Sequence, residues 1–276
     1  MIDAHQHFWK FDPFRDAWIT SDMQALRRDF YPQDLEPLLK TSGITGTVAV
    51  QADQSLHETE FLLQQAQTNP FIKGVVGWID LRSSELDQEL SRLSQFNLLK
   101  GFRHIVQGEA DPEFMLRPDF VNGMEKILSK GYTYDILIRD HQLSMAVEFC
   151  NRFPGANLVI DHLAKPPIRS GEWKAWAADL KKFSRLDYVY CKVSGLVTEA
   201  IWRSWKKEDF TIYLDVVSNV FGARRMMYGS DWPVCLLSAT YPQQLEVVHH
   251  YFSTWSEVER QAIFHNNAVH FYHLLG

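Results

Sequence analysis

Short apolar runs recur along the chain, each followed by a stretch with apolar residues at helical spacing. The runs cover residues 1–9, 46–51, 72–80, 99–105, 133–138, 157–162, 188–194 and 226–231. Their length and apolar, β-branched content mark strands buried on both faces, the pattern of a parallel sheet. The stretches between them, 34–40, 57–66, 86–96, 120–130, 142–152, 173–183 and 210–221, read as helices. Several of these stop at Gly43, Pro70, Gly131, Pro154 or Gly222. Two further helical patterns, 242–251 and 256–265, follow the last strand, and Asn266–Asn267–Ala268 predicts a final helix capped by an asparagine. Strand–helix units of this number and spacing predict one α/β domain over residues 1–276, a closed (β/α)8 TIM barrel. An open, doubly wound sheet is the alternative, but the first strand lacks a glycine-rich turn and no mid-chain linker interrupts the pattern.

Two connections, 9–30 and 196–210, are long for a barrel and combine aromatic with charged residues. Loops of that kind are functional more often than not, and these are expected to cover the barrel mouth, with Trp9 and Trp202 as candidate pocket walls. The whole chain has 9 Trp and 18 Phe, more than a core needs, so a pocket or a subunit contact should take some of them. A homo-oligomer therefore stays open. The formal charge of −6 is made of interspersed signs with no basic stripe, which excludes a nucleic-acid partner. Cys150, Cys191 and Cys235 lack CxxC spacing and read as reduced thiols. With no basic–apolar leader and no apolar run of about 18 residues, the expectation is a cytoplasmic protein without a membrane partner.

His5 and His7 are one residue apart in the first strand, which places both imidazoles on one face, with Asp3 beside them. In a parallel barrel the active site lies at the carboxyl ends of the strands. His5, His7, Arg103, His104, His162, Lys192 and Asp231 all fall there in this register. Any one histidine alone could be a satisfied core residue. Together at strand ends they describe one mouth, and an unpaired carboxylate at Asp231 would be costly after so apolar a run. The set suits hydrolysis at an acyl centre, with Asp231 as general base. His5, His7, His162 and Asp231 either hold one divalent metal ion, zinc among the candidates, or form a metal-free cradle, so no cofactor or one metal is expected. Arg103 and Lys192 would hold a substrate oxygen or stabilise an oxyanion; the alternative is ion pairing with Asp135, Asp161 or Glu199. No GxSxG, HExxH, Walker or GxGxxG pattern occurs.

Asp3–Ala4–His5–Gln6–His7–Phe8–Trp9, Gly101–Phe102–Arg103–His104, Ile160–Asp161–His162–Leu163–Ala164–Lys165–Pro166, Lys192–Val193–Ser194–Gly195–Leu196 and Tyr228–Gly229–Ser230–Asp231–Trp232–Pro233 occur in that order. Asn267–Ala268 before Phe271–Tyr272 completes the set. The chain thereby resembles the amidohydrolase-related sugar lactonases, the group of fuconolactonase, rhamnonolactonase and sulfomuconolactone hydrolase. The resemblance implies a distorted (β/α)8 barrel that opens a sugar-acid lactone with water, L-fucono-1,5-lactone or a related aldonolactone. It assigns His5, His7 and His162 to the histidine set and Asp231 to the base. Arg103, His104 and Lys192 carry over as substrate-binding groups, and Trp232 as a pocket wall. The chain departs from the broader pattern in lacking a bridging lysine at strand four and a histidine at strand five, where Asp135 stands, so a binuclear centre is not expected. A dicarboxylated lactone would want a second cationic pair, which Arg203 or Arg169 would supply. A metal-dependent decarboxylase of an aromatic or unsaturated acid, and a non-catalytic metabolite-binding barrel, are the other readings.

Overall fold

The computed structural model describes residues 1–274, and its eight strands form one parallel sheet in chain order. The first half runs β1 (Ile2–Gln6), α1 (Pro32–Thr41), β2 (Gly46–Val50), α2 (Leu56–Thr68), β3 (Ile72–Gly77), α3 (Leu86–Leu93), β4 (Leu99–His104) and α4 (Pro118–Ser129). The second half runs β5 (Thr133–Ile136), α5 (Leu143–Asn151), β6 (Leu158–Ile160), α6 (Trp173–Leu180), β7 (Val189–Val193), the short α7 (Leu196–Glu199), α8 (Thr211–Phe221) and β8 (Met226–Tyr228). The tail adds α9 (Tyr241–Phe252), α10 (Glu257–Gln261) and α11 (Asn267–Phe271). Beyond β8 the chain closes onto β1: Asp231 N donates to His5 O at 2.8 Å and His7 N to Trp232 O at 2.7 Å. Consecutive neighbours around a closing sheet are the topology of a TIM barrel and exclude the doubly wound order, which reverses partway.

Leu39 of α1, Leu62 of α2, Leu90 of α3, Phe120 of α4, Phe149 of α5, Trp176 of α6 and Leu214 of α8 are buried in one continuous cluster with the strands. Each such side chain contributes about 1.5–3 kcal/mol by leaving water. A second cluster joins Ile2, Val48, Val76, Val159 and Met227 to Phe271 and Tyr272 after the tail, so α11 packs against the strands themselves. The expected asparagine cap is not what fixes this helix. A π-helical turn over Ala262–Asn266 runs straight into α11, and Asn266 makes no capping bond. Asn267 Nδ2 instead donates to Ala223 O at 2.7 Å and Met226 O at 2.6 Å, tying the tail to the start of β8.

Strands six and eight are shorter than their apolar runs because the polar residues that end those runs leave strand geometry. His162 has φ 52° and Asp231 φ 56°, both left-handed. Each strand stops and turns its functional side chain at the same point.

Candidate active site

The β1–β2 register shifts between Asp3 and Gln6, which breaks strict alternation at the paired histidines. Asp3 consequently does not join them: its carboxylate accepts from Ser230 N at 2.8 Å and from the Tyr241 hydroxyl at 2.9 Å. Burial pushes it up to about 6 despite those bonds. His5 and His7 do converge, with their Nε2 atoms 3.2 Å apart. Backbone proximity makes room for them. A Cβ on Gly229 would stand 2.6 Å from His5 Cβ, and one on Gly195, itself at φ 70°, 2.8 Å from His162 Cβ. Glycine at these two positions is a packing requirement of the histidines.

His7 Nε2 lies 3.3 Å, His162 Nε2 3.8 Å and His5 Nε2 4.0 Å from Asp231 Oδ1. The far nitrogen of each ring has its own polar partner. His7 Nδ1 donates to Val50 O at 2.7 Å, His162 Nδ1 is 2.8 Å from Ser194 Oγ, and His5 Nδ1 is 3.3 Å from Asp161 Oδ1. The bond to a carbonyl orients His7 with Nε2 aimed at Asp231. Burial holds His5 well below the ordinary histidine value and His162 at about 4, so both are neutral at pH 7. Burial works against ionisation of Asp231, but His162, His7 and Lys165 outweigh it and hold the carboxyl below its usual range. Asp231 is therefore an ionised acceptor at neutral pH.

His5, His162 and Asp231 bring ligand atoms within 4.8 Å of one another, a group that could hold one divalent cation, and His7 Nε2 lies 3.3 Å from the same Asp231 oxygen. Ligand atoms about 2.0–2.1 Å from a tetrahedral ion stand roughly 3.3 Å apart, close to the spacings above, and each imidazole has the orienting partner that bound histidines need. A second acidic group, His5 with Asp135 and Asp161, already surrounds an ammonium: Lys192 Nζ is 2.5 Å from Asp135, 3.1 Å from Asp161 and 3.1 Å from His5 Nδ1.

A cavity of about 1050 Å³ opens above this cradle, lined by His7, Arg103, His162 and Asp231 at its floor and by Trp9, Trp18 and Trp202 on its walls. The loop 9–30 is held down by Trp9, whose backbone N–H and C=O pair with Phe30 at 3.0 and 2.8 Å. Arg103 faces the cavity with its nitrogens already engaged. Nε and Nη2 donate to Gln51 Oε1 at 3.0 and 2.8 Å and Nη2 also to Gln51 O, while Nη1 donates to Asp161 at 2.9 Å and lies 3.2 Å from His5 Nε2.

Three expected substrate-binding positions stand elsewhere. Lys192 is fully buried among its carboxylates and does not line the cavity, a placement that favours the ion-pairing alternative. His104 stacks on Phe114 at 4.7 Å and contacts Glu109 at 2.6 Å; it braces a cavity residue from behind. Trp232 is buried edge-on against Phe8 and Phe30, the close packing its ring needs, and contributes no cavity surface. Arg169 reaches the rim, 5.9 Å over Trp202, whereas Arg203 lines no part of the cavity. The group that the motif reading passed over is Lys165. It lines the cavity beside Glu199, with Nζ 3.9 Å from Oε1. Its place in the run Asp161–Pro166 was the available signal, since no apolar context explains a lysine three residues after His162.

Residues 2–274 match the family described as Amidohydrolase. The chain belongs to the amidohydrolase family. It is 37% identical over 284 residues, 99% of this chain and 96% of the relative, to an L-fucono-1,5-lactonase of Burkholderia multivorans. It also superposes on two crystal structures of an amidohydrolase from Burkholderia multivorans, each 38% identical and covering 99% of both chains. One has bound HEPES, with a TM-score of 0.95; the other has bound zinc, with a TM-score of 0.94. This amidohydrolase thus shares its whole length with those relatives.

Proposed function

We propose that this amidohydrolase hydrolyses a sugar-acid lactone, L-fucono-1,5-lactone or a related aldonolactone. The observation that carries the reading is the ionised Asp231 carboxylate among His5, His7 and His162 at the floor of a large aromatic-walled cavity. Its full-length likeness to an L-fucono-1,5-lactonase supports the substrate class.

A water held against Asp231 Oδ1 loses a proton to it as the oxygen attacks the lactone carbonyl. Negative charge then grows on the carbonyl oxygen, over the cradle of imidazoles and the Arg103 guanidinium. That cation is fixed by Gln51 and Asp161 and needs no reorganisation as the charge forms. Collapse breaks the bond from the carbonyl carbon to the ring oxygen, which takes the proton held by Asp231 and leaves as a hydroxyl on the open-chain acid, returning Asp231 to its ionised form. His5, His7, His162 and Asp231 would hold one divalent metal ion, zinc among the candidates; bound there it would supply Lewis-acid polarisation of the carbonyl. Trp9 and Trp202 offer apolar faces for the C–H side of a sugar ring.

The test is proton release from a panel of aldonolactones, followed with a pH indicator on protein of measured metal content before and after chelation. Release on a deoxy-sugar lactone supports the reading. Silence on every lactone with stoichiometric metal present would contradict it and favour the decarboxylase.

A further inference from the structure

The cations that the motifs pointed to are engaged with buried partners. Lys192 Nζ sits among Asp135, Asp161 and His5, and Arg103 is held by Gln51 and Asp161. One ammonium inside the cavity is not so engaged. Lys165 lines the wall with Thr198, Glu199 and Trp202. It feels the Asp231 carboxylate, while Arg139 and Arg169 of the same cavity act on Glu199. Lys165 Nζ lies 3.9 Å from Glu199 Oε1. That separation is too long for a direct hydrogen bond and short enough for one hydroxyl group to sit between the two. The side chains are mostly buried, with 20% and 25% of their surface exposed, so contacts made there compete little with bulk water.

The backbone holds Lys165 in this place at a cost. His162, Leu163, Ala164 and Lys165 all have positive φ, between 49° and 57°, a left-handed turn of four non-glycine residues. Lys165 N donates to His162 O at 2.7 Å across the turn, and Trp176 Nε1 donates to Leu163 O at 2.8 Å from behind it. The turn that aims His162 at Asp231 therefore also aims Lys165 into the same cavity. Strain of this kind persists where the surroundings over-determine it, and it gathers at ligand sites.

We propose that Lys165 and Glu199 form a hydroxyl-reading pair that selects polyhydroxylated lactones over unsubstituted ones. The inference rests on the lactonase reading and adds the substrate feature that is read. A sugar hydroxyl both accepts and donates. The Lys165 ammonium donates to its oxygen, and the hydroxyl proton is donated to Glu199. An unsubstituted ring leaves both charges facing each other with nothing between them, while Trp202 accepts the C–H face of either ring. Discrimination therefore resides in this pair, beside the Asp231 base.

The experiment compares kcat/KM on L-fucono-1,5-lactone with that on δ-valerolactone, for the wild type, Lys165→Met and Glu199→Gln, each checked for folding by circular dichroism. Asp231→Asn is the control for the chemistry and should fall on both substrates. The proposal expects each pair variant to lose roughly 10- to 100-fold more on the sugar lactone than on δ-valerolactone, largely through KM, so that selectivity collapses. Lys165→Met also lowers the rate on both through its effect on Asp231, and Glu199→Gln carries the selectivity readout. Glu199→Gln covers the case in which Lys165→Met fails to fold. Equal losses on both lactones, or an unchanged sugar-lactone rate, would overturn the pairing while leaving the lactonase reading intact. A wild type inactive on every lactone would overturn the lactonase reading and the pairing with it.

Discussion

Replacing Lys192 by methionine removes the ammonium that lies between Asp135 and Asp161 while keeping an unbranched apolar stem that ends one atom short of it. In the wild type both carboxylates are fully buried, within 2.5 and 3.1 Å of Nζ. Asp161 retains Arg103 at 2.9 Å, but among the described residues Asp135 keeps only the Tyr272 hydroxyl at 2.9 Å. Removing one partner of a buried pair costs about 3–5 kcal/mol, because the other is left charged in the interior. With a urea slope near 3 kcal/mol/M for a chain of this size, the unfolding midpoint should fall by about 1–2 M. The deficit should also depend on pH. Burial already raises Asp135 to about 6 against the pull of Lys192, and without the ammonium it rises further. A carboxyl whose folded pKa lies above its unfolded one favours the folded state below the unfolded value and loses that advantage as pH climbs. The gap between variant and wild type should therefore stay level up to about pH 6 and open above it, where the wild-type Asp135 ionises and the variant's does not. Adding Asp135→Asn to the lysine variant should recover part of the loss. Urea titrations at several pH values, paired with KM measurements, decide the matter. A midpoint moved by less than about 0.3 M with KM raised tenfold would mean that Lys192 binds substrate, and the buried-pair reasoning would be refuted.

Gly195→Ala should cost about 1–3 kcal/mol and at least tenfold in kcat, because its φ of 70° disfavours alanine and the new Cβ would press on His162 2.8 Å away. A thermal melt and a turnover measurement check the two effects, and an unperturbed kcat would show that His162 yields freely. Glu58 is buried, accepts from Asp53 N at 3.0 Å and from Ala52 N, and burial pushes its carboxyl up to about 7. Its folded pKa exceeds the unfolded value of about 4.5, so wild-type stability should fall as pH rises from about 4.5 to 7 and then level off, a change of up to about 3 kcal/mol. Glu58→Gln should flatten that segment of the stability–pH curve in urea titrations.

The eight-unit barrel was legible because strand and helix periods alternate cleanly, and because buried parallel strands announce themselves as short apolar runs. Polar residues that end such runs, His162 and Asp231, could be assigned to the mouth on the same ground. What pairwise spacing could not convey was where each charge is neutralised. Lys192 and Arg103 look alike in sequence, as cations in apolar strands, yet one is sealed between carboxylates and the other faces the cavity. That difference depends on Asp135 and Asp161, contributed by strands elsewhere in the barrel. Asp3 misled for a local reason: the register break in β1 sends it towards Tyr241, where alternation would have sent it to the site. Trp232 and His104 carry residue types that suit a pocket wall, but close packing against Phe8, Phe30 and Phe114 withdraws them. Lys165 escaped notice because a left-handed run of four residues has no periodic signature.

The central claim is that Asp231 activates water against a lactone carbonyl. Its most direct test is steady-state hydrolysis of L-fucono-1,5-lactone by the wild type and by Asp231→Asn, at equal and measured metal content. The amide keeps the shape and most of the packing but cannot take the proton of water. The account predicts a folded variant with turnover reduced at least about 100-fold. Turnover within a few-fold of the wild type would remove Asp231 as the base and contradict the mechanism.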